Sequence, residues 1–494
     1  VSLTDLLSHH ADRFADRPAL VYDDTTQTWS QLLSAVQLTA GALRERGVGA
    51  GDVVGVLMYN SGRFLELMHA ISHLGAIFMP LNWRLAPAEI GYIAEHSDAV
   101  LVVTEPELAD RTEEIGNAAA RVVLVDELCG SAPVLDPAPT RSGDIHRLMY
   151  TSGTTSRPKG VMISYGNLWA KNATGVVEYG MTAACVNLAC GPLYHVGALD
   201  LTTTTLMYLG ATTHVLRRFD AAAVLETIER QRITDVWLAP AMIAALVAHP
   251  DAARRDLSSL RLIIDGGEKM PLPLIERVLA TFPNAWFADA YGMTETVGGD
   301  TVLDKGRTLA KLGSVGKPVL HTEVRTVRPD GSDCEAGEPG EVIMRGPKVC
   351  LGYWRDVRAT AETIRDGWLH SGDLGVLDED GYLFIVDRLK DVIVSGGENI
   401  ASSEVERVLY EHPAIVEVAV VARPDERWNE VPVAFYVAAP GATVDSGHLE
   451  RHCRASLAGY KVPKGFVAID ALPRNPSGKV LKRELRERAA AGSR

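Results

Sequence analysis

The chain has 494 residues, 47% of them apolar and 23% charged, with a formal net charge of −14. That length exceeds one ordinary hydrophobic core, and the composition is globular, not disordered. The negative balance opposes general binding to nucleic acid or to an anionic membrane, so any anionic ligand must be held by a local basic cluster.

The N-terminal stretch VSLTDLLSHHADRFADRPALVY carries acids and histidines where a signal peptide would be basic and then apolar. No run of about 18 apolar residues occurs, so no membrane span is expected. Six cysteines stand at 129, 185, 190, 334, 350 and 453, with no C-x-x-C pair and no zinc-like array. Thiols in a reducing compartment follow, and the expected location is cytoplasmic.

Short apolar runs alternate with amphipathic stretches. VVGVLM (53–58) precedes GRFLELMHAISHLG, in which Phe64, Leu65, Met68 and Ile71 recur at helical spacing. AVLVVTE (99–105), VVLVDE (122–127), TDVWLAP (234–240) and LRLIIDGG (260–267) read as buried strands. The alternation predicts an α/β fold with largely parallel sheets, whose ligands sit at the carboxyl ends of strands. From about 310, short strands and turn signals replace long helices, which predicts a small β subdomain over 310–386. DRLK (387–390) precedes a new α+β pattern: DVIVS, a helix from about 402 to 411, then VEVAVVARP and VPVAFYVAA. The expected architecture is a large N-terminal α/β domain over 1–386, a hinge at 387–390 and an α+β C-terminal domain over 391–494.

Four motifs bear chemistry. In LMYTSGTTSRPKGVM (148–162), Gly153 lets the backbone approach a ligand, and the hydroxyls of Thr151, Ser152, Thr154 and Thr155 can donate to phosphate oxygens. Lys159 adds a point charge. This is not a Walker A loop, because Pro158 precedes the lysine and no Gly-Lys-Ser/Thr opens a helix. A polar surface loop is the alternative. In DAYGMTET (289–296), Tyr291 can lie against a flat base, and Glu295 can hold Mg²⁺, which favours one or two carboxylates plus phosphate oxygens. A strand end with a satisfied glutamate is the other reading. In GWLHSGDLG (367–375), Asp373 on a tight turn can accept from vicinal hydroxyls, though turn aspartates are common. In RNPSGKVLKREL (474–485), Lys479 follows Pro-Ser-Gly. Residues 461–488 hold eight basic and three acidic side chains, either an anion dock or a solvated helix face.

Together and in this order, these motifs resemble the adenylate-forming superfamily: acyl-CoA synthetases, aryl-CoA ligases, peptide-synthetase adenylation domains and luciferases. The resemblance covers nearly the whole chain and rests on YTSGTTSRPKG, YGMTET, GWLHSGDLG, DRLKDVIVSGGENI and PRNPSGKVLKREL. SGGENI and YKVPK bring it nearest to the acyl- and aryl-CoA ligases. It implies a ligase that makes an acyl-adenylate from a carboxylic acid and MgATP, releases pyrophosphate, and passes the acyl group to the thiol of CoA after the C-terminal domain rotates.

Carried over, the stretch from Thr151 to Lys159 cradles the β- and γ-phosphates. Thr294 touches the α-phosphate and Glu295 the Mg²⁺. Tyr291, Gly292 and the backbone at Gly267–Glu268 flank the adenine, with Asp289 near its amino group. Asp373, assisted by Arg388, binds the ribose hydroxyls. Lys479 bridges the carboxylate and the α-phosphate. Lys390 is the hinge. Ser395, Gly396 and Gly397 let the pantetheine arm pass, and Lys461 and Lys464 suit the CoA 3′-phosphate. Two departures stand out: Ser156 occupies a position usually held by glycine, and Ser164-Tyr165 replaces Thr-His.

PLYHVGAL (192–199) matches the family's acyl-pocket stretch, with His195 as aromatic gate. Amino-acid-activating relatives keep an aspartate where Val196 stands, and a buried ammonium without a partner is costly, which argues against amino acids. Trp237, Ala241, Met242, Gly266, Met293, Val297 and Gly298 are the other candidate walls. Strand core for Trp237 and helix packing for Met242 remain open. Glycines at 266, 298 and 299 are expected to leave space for a bulky or elongated apolar acid: fatty, aryl, alicyclic or terpenoid. ATP, Mg²⁺ and CoA are the implied cofactors, and a homodimer is compatible. Loading of a carrier protein instead of CoA, a luciferase-type oxygenase and a nucleotide-binding regulator without catalysis are the competing functions. The last would be expected to lack Lys479 or Glu295, and both are present.

Overall fold

The apolar runs become the interiors of two sheets. The computed structural model describes residues 5–117, 120–130, 132–151, 157–268, 270–395, 398–425, 427–442, 444–474 and 479–491. The chain packs as two units, Val1–Val324 with Met344–Leu369, and Arg325–Ile343 with His370–Arg494. The division falls inside the strands Glu323–Val327, Gly340–Arg345 and Trp368–Leu377.

In the first unit, a six-stranded sheet runs in the order Arg121–Leu124, Ala99–Thr104, Val53–Leu57, Ile77–Pro80, Ile145–Thr151, Lys159–Ser164. Its first five strands pair in parallel and the last returns antiparallel. A nine-stranded sheet has a parallel centre formed by Trp286–Tyr291, Leu262–Asp265, Asp235–Leu238, Val186–Ala189, Thr212–Val215 and Pro18–Tyr22. Every residue of Val53–Leu57, Ile77–Pro80, Asp235–Leu238 and Leu262–Asp265 is buried, as expected of parallel strands covered on both faces.

The helix Gly62–His73 is buried from Phe64 through His73, so its polar residues need partners. Glu66 accepts from Thr39 at 2.5 Å, and the His73 ring bonds the Val134 carbonyl at 2.9 Å. The helix Tyr165–Tyr179 opens on a capping box between Ser164 and Asn167 and closes on Gly180 in the left-handed region (φ 59°). Tyr165 lies 3.1 Å from the Ser72 hydroxyl. The Ser164-Tyr165 departure therefore serves as a helix cap and a core contact in this chain.

A buried charge cluster joins this helix to the six-stranded sheet. Arg147 lies 3.0 Å from Asp200, and Lys171 donates to the Asp200 carbonyl at 2.8 Å, to Thr204 at 2.7 Å and to Thr205 at 3.0 Å. Burial pushes Lys171 down to about 7 and His69 down to about 4, and lowers His146 well below the ordinary histidine value.

The second unit is built on the antiparallel pair Ile415–Asp425 and Asn429–Ala438. Alternation sorts its two faces. Val418 and Val420 meet Val405, Val408, Leu449 and Cys453 of the helices Ser402–Tyr410 and Ser446–Ser456. Ala419 and Val421 meet Leu485 and Ala489 of Lys482–Ala491. Among the described residues no helix is long and apolar enough to cross a membrane, and none of the six cysteines is in a disulfide.

Candidate active site

In the first unit, the strands Ile145–Thr151 and Lys159–Ser164 form a hairpin whose terminal pair is Thr151 opposite Lys159. Ser152, Gly153, Thr154, Thr155 and Ser156 lie outside the described residues. The Lys159 ammonium sits 5.1 Å from the centroid of the Tyr353 ring, a cation–π arrangement. Residues 350–354 run beside this hairpin. Val161 bridges Tyr353, the Leu351 amide donates to the Met162 carbonyl at 3.0 Å, and the Trp354 amide donates to the Gly160 carbonyl at 2.7 Å. The same segment reaches Glu295, because the Cys350 amide donates to its carbonyl and the Tyr353 hydroxyl to its carboxylate, each at 2.7 Å. Glu295 is buried, and burial first, then the Glu295 charge, raises the Tyr353 phenol far above its ordinary value.

Thr294 and Glu295 occupy a 3₁₀ turn, Thr294–Thr296, after which three consecutive residues are left-handed: Val297 (φ 58°), Gly298 (φ 74°) and Gly299 (φ 62°). A buried β-branched residue in that region is strained. Lys348, almost fully buried, clamps the loop. It donates to the carbonyls of Gly298 at 3.0 Å and Gly299 at 2.6 Å, and pairs with Asp300 at 2.9 Å. Gly292 is required by this loop, since a Cβ there would lie 2.5 Å from the Gly299 nitrogen.

The adenine-side candidates follow two parallel strands. Asp265 and Asp289 are register partners and both buried. Neither oxygen of Asp265 has a partner among the described residues. Burial, then the Asp289 charge, raises Asp265 well above the ordinary carboxylate value. Gly267 (φ 100°) and Glu268 are exposed just beyond, and Tyr291 ends its strand half-buried.

At the acyl-pocket positions, Val196 is buried and precedes a π-helical segment, Gly197–Thr204, while half-buried His195 accepts from the Gly197 amide at 3.4 Å. Trp237 packs against Gly191 and Gly197, where a Cβ on Gly197 would come within 2.4 Å of the indole. Its Nε1–H is buried and lacks a partner among the described residues. Ala241 is exposed, Met293 is half-buried, and Met242 packs against two core clusters. The expectation that glycines leave room is corrected. A Cβ on Gly266 would strike the Ala290 carbonyl at 2.6 Å, and Gly298 and Gly299 are left-handed with Leu201 at 3.4 and 3.1 Å. Backbone approach and conformation account for these glycines, not pocket volume.

In the second unit, Asp373 and Arg388 are register partners on adjacent strands, 3.6 Å apart through their side chains. Lys390 lies in a 3₁₀ turn, Leu389–Asp391, and burial, followed by Arg388, lowers its pKa. Ser395 is buried, and Gly396 and Gly397 are outside the described residues. Lys479 immediately precedes Val480, which bridges Arg474. The basic surplus over 461–488 is not an open anion dock. Lys461 pairs with Glu404 at 2.7 Å, Arg474 with Glu417 at 3.1 Å, Lys482 with Glu406 at 2.7 Å, Arg483 with Glu487 at 3.9 Å, and Arg486 with Asp391. Lys464 is exposed.

Tyr353, Lys348, Asp265 and Asp300 were not singled out from sequence. Lys348 has the clearest signal, a lone cation in the otherwise uncharged run GPKVCLGYW. Tyr353 reads as one more aromatic near a glycine.

A sheet-end turn bearing Glu295, a hairpin bearing Lys159 and a paired Asp373–Arg388 are the parts expected of a nucleotide-activating enzyme. Family models agree. The AMP-binding enzyme model matches residues 7–354, and the AMP-binding enzyme C-terminal domain model matches 404–479. The chain therefore belongs to the AMP-binding enzyme family. It is 40% identical over 470 residues to a feruloyl-CoA synthase of an Amycolatopsis species, covering 95% of each chain. It is 38% identical to the indoleacetate–CoA ligase of Aromatoleum aromaticum, covering 99% of this chain and 98% of that one. Among solved structures, o-succinylbenzoate CoA synthetase from Bacillus subtilis with its acyl-adenylate superposes with a TM-score of 0.91 at 34% identity over 97% of each chain. An anthranilate CoA ligase with anthranoyl-AMP gives 0.93 at 28% identity, covering 100% of this chain and 98% of that one. Within the family, the protein is an AMP-forming acid–thiol ligase that uses ATP, Mg²⁺ and CoA.

Proposed function

We propose that this ligase activates an aryl or arylalkanoic acid bearing a polar ring substituent. The carrying observation is Trp237, whose ring is laid against Gly191 and Gly197 with a buried, unpartnered indole N–H. A flat ring fits beside an indole, and an acceptor on that ring would satisfy a donor that is otherwise expensive to bury. The acids named for the relatives are aromatic too, which supports the same class.

In this reading Thr151, Lys159 and the hydroxyls between them hold the β- and γ-phosphates. Thr294 meets the α-phosphate, and Tyr291, Gly292, Asp289, Gly267 and Glu268 surround the adenine. Asp373 and Arg388 take the ribose. Among the described residues no group of three or more His, Cys, Asp or Glu side chains could hold a metal. One carboxylate, Glu295, with phosphate oxygens completing the shell, fits Mg²⁺. Bound there, the ion would neutralise phosphate charge.

Carboxylate attack concentrates negative charge at phosphorus, and Lys479 offsets it. A preplaced cation of this kind contributes about 3–4 kcal/mol. Residues 387–390 act as the hinge between an N-terminal domain ending at 386 and a C-terminal domain from 391. A φ/ψ change at Lys390 exchanges Lys479 for the segment Ser395–Gly397, beside which CoA enters. Lys464, more than the ion-paired Lys461, serves the CoA phosphate. His195, Val196, Trp237, Met242, Met293 and Val297 line the acyl pocket.

The test is pyrophosphate release against matched panels of hydroxy- or methoxy-substituted aryl, unsubstituted aryl, fatty, alicyclic and terpenoid acids, with and without CoA. Substituted aryl acids should give the highest kcat/KM. Preference for fatty acids would refute the assignment, and thioester formation on a carrier protein but not on CoA would move the acceptor.

A further inference from the structure

We infer that Tyr353 is a positioning residue for adenylation, one side chain that sets both the phosphate-side cation Lys159 and the metal-side carboxylate Glu295. The inference rests on the adenylation reading above.

The two contacts differ in kind. The Tyr353 hydroxyl donates to Glu295 Oε1 at 2.7 Å, which fixes the rotation of a buried carboxylate. The ring face supports the Lys159 ammonium at 5.1 Å. A carboxylate in that place would compete with phosphate for the charge. An aromatic face orients the ammonium and leaves its N–H donors to be used by an anion.

Tyr353 is itself tightly seated. Its amide donates to Thr360 at 2.9 Å, and the helix Val357–Thr363 packs so closely that a Cβ on Gly352 (φ 119°) would lie 2.5 Å from the Thr360 side chain. Flanking amides tie the same segment to Gly160, Met162 and Glu295. Phosphate strand and metal turn are thus held in register by residues 350–354.

The test uses Tyr353→Phe, which keeps the ring and removes the hydroxyl. Mn²⁺ binding to the full-length enzyme in the presence of ATP, read by electron paramagnetic resonance, should weaken about tenfold, as expected for one lost hydrogen bond to a charged group. ATP binding without divalent metal and thioester formation from supplied acyl-adenylate and CoA should stay within about twofold of wild type, while the melting temperature falls by a few degrees because a buried carboxylate loses a donor. Tyr353→Leu should also weaken metal-free ATP binding, because Lys159 loses its support. In a Glu295→Gln background, Tyr353→Phe should change Mn²⁺ affinity no further. Equal Mn²⁺ affinity in wild type and Tyr353→Phe, or a full additional loss in the Glu295→Gln background, overturns the assignment. Absence of acid-dependent ATP–pyrophosphate exchange in the wild-type enzyme overturns both readings. Normal exchange beside an unshifted Tyr353→Phe overturns the Tyr353 assignment alone.

Discussion

The two lysine-bearing stretches of this chain come out differently. Around Lys159 the charge rests on an aromatic face, while five of the eight basic residues over 461–488 are tied to carboxylates of their own unit. In sequence both stretches are candidate anion sites. In three dimensions most of the second stretch's surplus is offset by Glu404, Glu406, Glu417 and Asp391, all of them outside the stretch. A charge count along the sequence does not measure a field, because folding decides which charges meet.

The sharpest test of that contrast is Lys479→Ala. Adenylation should fall by roughly 10²–10³, while thioester formation from supplied acyl-adenylate continues. Equal loss in both half-reactions would remove Lys479 from its assigned role.

Next in size is an acid effect on the first unit. His69 is held neutral, with its pKa pushed down to about 4. A base whose folded pKa lies below its unfolded value of about 6.5 binds fewer protons when folded, so stability is lost as pH falls from about 6.5 to 4. The loss is on the order of 3 kcal/mol, and His146 adds to it in the same direction. Chemical denaturation at pH 7 and pH 5 should show about 2 kcal/mol of it. His69→Phe, neutral at both, should show a smaller difference between them.

A milder effect separates two neighbouring lysines. Lys464→Ala should raise KM for CoA about fivefold at low salt, and Lys461→Ala less than about twofold, because Glu404 already occupies Lys461. The reverse order would restore Lys461 as the phosphate ligand. The smallest effect is expected for Val297→Gly. Relief of the left-handed strain offsets only part of what is lost with a fully buried valine side chain, so the protein should be destabilised by about 1 kcal/mol, and the loosened loop should raise KM for the acid more than for ATP.

Much of the fold was legible, because buried parallel strands read as continuous apolar runs. The runs at 53–58, 99–105, 234–240 and 260–267 correspond to strands within two residues at each end. The family resemblance assigns Asp373 and Arg388 to one ribose, and the two are cross-strand neighbours, a proximity that sequence alone does not display. What sequence concealed was relational. The glycines at 266, 298 and 299 read as vacant space, whereas the constraint is a carbonyl from the next strand or a left-handed turn. Tyr353 was hidden because its two partners lie about 60 and 190 positions away, and no local pattern links a tyrosine to a distant glutamate and lysine. Asp265 was obscured by the apolar run that contains it, where its missing partner shows only in three dimensions.

The central claim is that an aromatic acid is activated as its adenylate and handed to CoA by the same chain. Single-turnover quench with mass detection tests it most directly, with enzyme in excess over a hydroxy-substituted aryl acid and MgATP. The account predicts an enzyme-held acyl-adenylate that persists without CoA and discharges as the thioester when CoA is added. AMP released without acid, or thioester formed with no adenylate in any sample, would contradict it.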